Sequence, residues 1–268
     1  MRFSIPTPTT SAVAIGPFTI HFYAICIITG VAVALVLGNR LFLQNYPDAH
    51  GVVSDVAIFA IPAGVIGGRL YHVLTTPEKY FGSHGHLIDS VKIWNGGLGI
   101  WGAIALGTAV SYRVYRHLSE SRALPPFLAF ADALAPGVIF AQAIGRWGNW
   151  FNGELFGKPS NLPWALEIPQ NLRPLGYERF STFHPTFLYE SLWCIAVGFL
   201  LLAISSSLPT GATFTLYVAL YSAGRFFIEG LRIDPAHTLG ALRLNQYVAL
   251  FLSLAGFLAF TRIFKRTR

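Results

Sequence analysis

The hydrophobic residues of the chain fall into seven long runs, which shorter polar segments separate. Each run has about 20 residues, the length that an α-helix needs to cross the hydrocarbon core of a bilayer. Hydropathy over such windows identifies transmembrane helices. The pattern therefore predicts an all-α integral membrane protein with seven transmembrane helices, at roughly 19–39, 53–75, 97–115, 126–146, 187–205, 211–231 and 245–263.

The segments between the runs differ in length. About 40 residues, 147–186, separate the fourth and fifth runs and contain no long apolar stretch. We expect them to form an extracytoplasmic loop or small cap, and loops of this length are usually functional or disordered. No linker sets off a soluble domain, so residues 1–268 are expected to form a single polytopic membrane domain.

Composition and charge agree with a membrane protein and indicate its orientation. The chain is 53% hydrophobic and 12% charged, about half the charged fraction of a soluble domain. Its net charge of +7 is spread among loops, which disfavours a nucleic-acid partner and suits a bilayer with anionic headgroups. Basic clusters at 111–122 and 261–268 fall on one side, so the positive-inside rule predicts a cytoplasmic C-terminus and an outer N-terminus.

The segment GRWGNWFNGELFG, residues 145–157, directly follows the fourth run. Ionisable groups at this depth are costly unless they face a protein interior or a wet cavity, so they are functional candidates. If the helix continues, four residues share one face: Arg146, Asn149, Gly153 and Gly157. A guanidinium with amides and open backbone N–H groups suits a phosphate. Glu154 is either a proton acceptor or an arginine's partner, and the structural alternative is a helix-end salt bridge with glycines for close packing.

A second polar stripe lies in YSAGRFFIEGLRIDP, residues 221–235. Its members recur on one face of an otherwise apolar helix and are Tyr221, Arg225, Glu229 and Arg232. One interpretation is an ion pair that fastens two helices. The other is a ligand site, because two arginines against one glutamate leave a positive charge that an anionic ligand would compensate.

Two shorter motifs contain residues with acid–base chemistry. HPTFLYE, residues 184–190, opens the fifth run, and its His184 has an ordinary pKa near neutrality. HFY, residues 21–23, opens the first run, where Tyr23 and His21 offer a hydrogen-bond donor and a titratable group. Residues of these types are also common in the aromatic belt at a membrane surface.

The second and third runs are rich in glycine. GVIGGRLY at 64–71 and NGGLGIWGAIALG at 95–107 predict close approach of two helices in lipid. Arg69 is a further intramembrane cation, which we expect to extend outward toward the interface.

Together these motifs resemble the bacterial prolipoprotein diacylglyceryl transferase family. GRWGNWFNGEL is similar to its long signature, and IHFYA, NGGLGIWGAI, HPTFLYE and GRFFIEGLR match in the family's order, over about residues 15–262. The resemblance implies a seven-span inner-membrane enzyme whose site opens to the outer face. Such enzymes move the diacylglyceryl group of phosphatidylglycerol onto the lipobox cysteine thiol of a prolipoprotein signal peptide, forming a thioether and releasing glycerol-1-phosphate.

The resemblance also implies roles for individual residues. Arg146 and Arg225 would bind the lipid phosphate, and Tyr23 would hydrogen-bond the headgroup. Residues that would organise or line the site, or support Arg225, are Asn149, Glu154, Gly157, Tyr221 and Glu229. We expect no cofactor and no metal, since the two cysteines lie in apolar runs without ligand spacing.

One position departs from the family. Many members carry a histidine, proposed as the thiol's general base, where this chain has Trp101, and tryptophan cannot accept a proton. The candidate bases are therefore Glu154 and His21, or the arginines lower the pKa of the thiol. Two other classes of protein stay open: a transporter or flippase of an anionic lipid, and a membrane scaffold whose polar groups only join helices.

Overall fold

The computed structural model describes residues 4–16, 18–81, 85–93 and 96–266. Its main elements are the α-helices α1 Phe22–Asn45, α2 Val52–Thr75, α3 Ile100–Ser121, α4 Phe127–Asn152, α5 Thr186–Ile204, α6 Ala212–Glu229 and α7 Leu244–Arg266. Within the described ranges, five of them are long and apolar enough to cross a membrane: α1, α2, α4, α5 and α7. The polar second half of α3 and the charged end of α6 lower the hydropathy of those two helices. The chain is a multi-pass helical membrane protein.

Several helices extend beyond the predicted runs. The fourth run was expected to end at residue 146, whereas α4 continues to Asn152; α3 likewise continues past residue 115 to Ser121. The reason is physical: hydropathy marks the hydrocarbon core, but helical hydrogen bonding continues through polar residues beyond it.

Small β-sheets occupy the segments between helices, which the all-α prediction did not include. Their strands are β1 Ile5–Pro6, β2 Ala12–Ile15, β3 Phe18–His21, β4 Leu166–Glu167, β5 Thr182–Phe183, β6 Thr238–Leu239 and β7 Leu242–Arg243. β4 pairs with β1 in parallel and with β5 in antiparallel register, while β2–β3 and β6–β7 are hairpins. The long segment after α4 also packs a small apolar core, made of Phe156, Leu166, Ile168, Phe183 and Phe187.

The chain divides into two compact units. The first comprises Met1–Leu41 with Leu128–Arg268, and the second comprises Phe42–Phe127. In the first unit, α4, α5 and α6 pack around an apolar cluster whose buried members are Ile139, Ala143, Cys194, Val197, Leu201 and Leu216. Cys194 is therefore the packing residue that its apolar run suggested.

The second unit pairs α2 with α3 through glycines. A Cβ added to Gly67 would collide with the carbonyl oxygen of Gly102, and the reverse substitution would collide in the same way. The close helix approach that the glycine-rich motifs predicted is confirmed for this pair. Asn95, which opens one motif, lies outside the described residues.

Candidate functional site

Arginines from two helices meet on one carboxylate. Arg146, near the end of α4, pairs through Nε with Oε2 of Glu190 on α5, and Arg225 on α6 pairs through NH1 with Oε1 of the same glutamate. The side chains are 23%, 19% and 8% exposed for Arg146, Arg225 and Glu190, respectively. Two residues that are 79 positions apart in sequence are thus brought together by a third helix.

The ion pairs continue toward α7. Glu229 is fully buried and forms ion pairs with Arg225, whose NH2 lies at 2.5 Å, and with Arg243, whose Nε lies at 3.0 Å. Arg232 and Arg243 also hold Asp234, at 2.7 and 2.9 Å. We call this set the arginine network; its members are Arg146, Arg225, Arg232, Arg243, Glu190, Glu229 and Asp234.

The arginine network carries an excess of positive charge. Four guanidinium groups face three carboxylates, which leaves one positive charge when all are ionised. An uncompensated charge in a low-dielectric environment is costly. Within the described part of the chain, NH1 of Arg146 and Nε of Arg225 also have no hydrogen-bond partner. The network therefore has both the charge and the unused donors to receive an anion.

Tyr221 contacts the network at a different arginine from the one expected. Its hydroxyl accepts a hydrogen bond from NH2 of Arg146 at 3.2 Å, whereas the resemblance implied that it supports Arg225. The ring stacks on Tyr217, one turn earlier in α6, with centroids 6.1 Å apart. Tyr221 thus links α6 to α4, while Glu229 does support Arg225 as implied.

The chain after Asn152 does not continue the helical face that was expected. Gly153 has φ +61° and Leu155 has φ +58°, so the backbone turns into the left-handed region directly after α4. The prediction that Gly153 and Gly157 share a helix face with Arg146 is therefore wrong.

Glu154 sits within this turn and binds amides instead of an arginine. Its Oε1 accepts hydrogen bonds from Nδ2 of Asn149 at 3.0 Å and of Asn152 at 3.1 Å. Glu154 is exposed while Asn149 is buried. No ion pair involves Glu154 within the described ranges, so its carboxylate is held by neutral groups and its second oxygen is open.

Gly157 has a packing role. Its N–H donates to the carbonyl of His184 at 2.9 Å, so the backbone amide that we expected to be open is already used. A Cβ here would lie 2.9 Å from Cβ of His184 and 3.1 Å from the carbonyl oxygen of Leu231. Glycine is required because the backbone at this position lies close to the segments that contain His184 and Leu231. The N–H of the next residue, Lys158, donates to the carbonyl of Leu231 at 2.8 Å.

Tyr23 and His21 differ in how they relate to this region. The ring of Tyr23 packs on Gly148, which has no room for a Cβ, and its hydroxyl interacts electrostatically with Glu154 and Arg146. His21 ends β3, opposite Ala12, and its side chain is exposed. The structure therefore joins Tyr23 to the site and shows no contact of His21 with it among the described residues.

His184 lies at one end of a hydrogen-bonded series of aromatic side chains. Its Nδ1 lies 3.1 Å from the hydroxyl of Tyr189, which also accepts a hydrogen bond from Nε1 of Trp164 at 3.2 Å. Burial, and then the charge of Lys158, lower the pKa of His184 below its ordinary value. This shift favours the neutral imidazole, the form that can accept a proton.

Arg69 and Trp101 belong to the second unit. Arg69 is 7% exposed and donates to four backbone carbonyls, those of Ser90, Gly96, Gly97 and Asp89. Its guanidinium thus reaches the segment that follows α2 and is buried there by the backbone of that segment. Trp101 lies in the first turn of α3 and is 40% exposed.

Sequence reasoning missed three members of the arginine network. Glu190 lies in HPTFLYE, a motif that was considered for the acid–base chemistry of His184. No periodicity marks Asp234, which lies in a loop, or Arg243, which ends β7, and only the fold brings Arg243 to Glu229 and Asp234.

These features define a multi-pass membrane protein with a cationic network shared by α4, α5 and α6. The chain belongs to the prolipoprotein diacylglyceryl transferase family, whose profile matches residues 10–262. A relative from Streptomyces coelicolor, named phosphatidylglycerol–prolipoprotein diacylglyceryl transferase 2, is 50% identical over 93% of this chain and 78% of its own length. Relatives with the same activity in their names come from Cutibacterium acnes, 48% identical over 93% of this chain and 83% of its own, and Paenarthrobacter aurescens, 44% identical over 99% and 85%.

Proposed function

We propose that the protein transfers the diacylglyceryl group of phosphatidylglycerol to the lipobox cysteine of prolipoprotein signal peptides, the first step of lipoprotein maturation. The thiolate attacks the glyceryl carbon that bears the phosphate oxygen. A carbon–sulfur bond forms, the carbon–oxygen bond breaks, and glycerol-1-phosphate leaves with the bonding electrons. The observation that carries this proposal is the convergence of Arg146 and Arg225 on Glu190; the family and the names of the relatives support it.

The arginines bind the phosphate and neutralise the charge that develops as glycerol-1-phosphate leaves. Preorganised donors aimed at developing charge supply a large share of catalysis in many enzymes. NH1 of Arg146 and Nε of Arg225 are the donors that no described residue uses. The remaining residues of the proposed phosphatidylglycerol site hold these two in place or shape its rim: Asn149, Gly157, Tyr221 and Glu229.

Proton removal from the thiol is assigned to Glu154, with His21 as the second candidate. Thiolate is the nucleophile, so a base or a nearby cation must favour the deprotonated form. Glu154 is exposed and has one unoccupied carboxylate oxygen, and Tyr23 links it electrostatically to Arg146. Since Trp101 replaces the family's frequent histidine, the excess positive charge of the arginine network assists by lowering the pKa of the thiol.

We also propose the membrane arrangement that the sequence predicts. α3 and α6 cross the bilayer together with the five apolar helices, giving seven spans, with the N-terminus outside and the C-terminus in the cytoplasm. The protein resides in the bacterial inner membrane, and the segment 153–185 caps the outer face. Support comes from the ion pairs of Arg225 on α6 with Glu190 and Glu229, which lower the cost of a charge at membrane depth, and from the glycine contact of α3 with α2, which favours helix packing in lipid.

The direct test is incubation of the purified protein with phosphatidylglycerol and a lipobox peptide, followed by mass spectrometry for the diacylglyceryl adduct. A peptide with Cys→Ser at the acceptor position is the substrate control. Arg146→Ala and Arg225→Ala should abolish the adduct while the protein still accumulates in membranes. Arg173→Ala is the matched protein control, because among the residues that the structure describes Arg173 donates only to the backbone carbonyls of Ile168 and Glu178.

Two results would contradict the proposal. Turnover retained in both arginine variants would show that the arginines do not bind the reacting phosphate. Movement of an anionic lipid across reconstituted vesicles without any thioether product would favour a flippase.

A further inference from the structure

Asp132, at the opposite end of α4 from Arg146, binds the start of another helix. Its carboxylate accepts hydrogen bonds from the N–H of Gly211 at 2.5 Å and of Phe214 at 2.7 Å. Gly211 precedes α6 in the left-handed conformation and supplies no side-chain cap. The first N–H groups of a helix lack partners and carry the positive end of its dipole, so a carboxylate there is stabilising.

The two helices joined by Asp132 are those that carry the paired arginines. Arg146 follows Asp132 by 14 residues, and Arg225 follows Gly211 by 14 residues. At 1.5 Å per residue, each arginine lies about 21 Å along its helix from the shared contact. Because both arginines reach Glu190, α4 and α6 run in the same direction and in matched axial register.

We propose that Asp132 is a positioning residue that fixes the axial register of α6 against α4. Without it, α6 would be held to α4 at this end by apolar packing, which does not specify height along the helix as strongly as a doubly bonded carboxylate. The Tyr221–Arg146 hydrogen bond and the ion pairs through Glu190 join the two helices at the other end, about 21 Å away. A helix shift of one ångström would separate the arginines from a common phosphate. This inference rests on the proposed transfer reaction but concerns a residue far from the reacting atoms.

The experiment compares Asp132→Asn and Asp132→Ala with Tyr115→Phe. Asparagine keeps one acceptor oxygen, so it should retain more function than alanine. Tyr115 is 1% exposed, and its hydroxyl donates to the carbonyl of Pro125 at 2.8 Å. Loss of this hydrogen bond should lower the stability of the protein and leave the register of α6 against α4 unchanged. We expect Asp132→Ala to lower kcat roughly 10- to 100-fold, since small misplacements cost that much, and to raise KM for phosphatidylglycerol. Tyr115→Phe should lose thermal stability and keep both constants.

A double-variant cycle separates positioning from general destabilisation. If Asp132 acts through register, the contact of Tyr221 with Arg146 is already misaligned in Asp132→Ala. Adding Tyr221→Phe to that variant should then cause little further loss, and the double variant should be about as slow as the slower single variant. Losses that multiply, or wild-type kcat and KM in Asp132→Asn and Asp132→Ala, would overturn the inference. The wild-type protein in the same assay tests the reaction itself: no thioether there refutes the proposed function, whereas normal wild-type turnover with unaltered Asp132 variants refutes only the register.

Discussion

Two arginine sites in this molecule, one buried and one half-buried, use their guanidinium groups in opposite ways. In the second unit, Arg69 gives its donors to four neutral backbone carbonyls and lies 5.1 Å from the ring centroid of Tyr80. In the first unit, Arg146 and Arg225 share a carboxylate and keep one unused donor each. A saturated arginine orders a loop, whereas a shared, partly satisfied pair is suited to bind a ligand. Burial alone does not distinguish the two uses; the partner atoms do.

We expect the largest effect when an arginine is removed from either site: turnover should fall at Arg146 or Arg225, and stability should fall at Arg69. Arg146→Ala or Arg225→Ala should lower turnover by roughly 100- to 1,000-fold, as for other removed transition-state donors. Arg69→Ala should instead destabilise the second unit by about 3 kcal/mol, because several carbonyls lose their donors. Turnover per folded molecule and the thermal midpoint, measured on the same preparations, check this contrast. If the Arg69 and Arg225 variants lost turnover and thermal stability to the same extent, the distinction between a loop-ordering and a ligand-binding arginine would be wrong.

Glu190→Gln should reveal the anion capacity of the arginine network. Neutralising the shared carboxylate leaves two guanidinium groups poorly compensated, and breaking such a pair costs about 3 kcal/mol. Phosphatidylglycerol should then raise the thermal midpoint more in Glu190→Gln than in wild type, since binding to the folded state stabilises it. Phosphatidylcholine vesicles are the lipid control, and Glu120→Gln, at a carboxylate that is 74% exposed and pairs with His117, is the protein control. The idea of an anion site is lost if the anionic lipid stabilises both proteins equally.

The helices could be predicted from sequence because the bilayer imposes their length, but the site could be predicted only in part. Arg146, Arg225 and Glu229 were recognisable as ionisable residues in apolar runs. Glu190 was not recognisable as their shared partner, since its contacts depend on how α5 packs between α4 and α6. The placement of Gly157 on one helix face with Arg146 was wrong, because hydropathy does not show that the backbone turns at Gly153.

Acid should weaken the arginine network at Asp234. Burial raises the pKa of this carboxyl, but hydrogen bonds and charge from Arg232 and Arg243 outweigh burial and hold the pKa below its ordinary value. A carboxyl with a lowered folded-state pKa stabilises the protein above its unfolded pKa, and that stability is lost as pH falls through the folded pKa.

The stability gap between wild type and Asp234→Asn should therefore be constant from about pH 7 to 5 and shrink below about pH 4. Thermal midpoints across this range measure the gap. Asp55→Asn is the control, because the Asp55–Arg122 pair is 40% and 42% exposed at 3.4 Å and should contribute little. A gap that widens in acid would mean that the arginines do not hold Asp234 ionised.

The smallest effect should come from placing histidine at position 101. If proton removal depends on Glu154 and on the positive charge of the arginine network, Trp101→His supplies a base that the reaction does not need. Turnover should then change by less than about threefold, and the pH profile should gain no new ionisation near pH 6.5. Glu154→Gln in the same assay should lower turnover, because the proposed general base is lost. A large gain in Trp101→His, together with unchanged turnover in Glu154→Gln, would contradict the assignment of Glu154 as the general base.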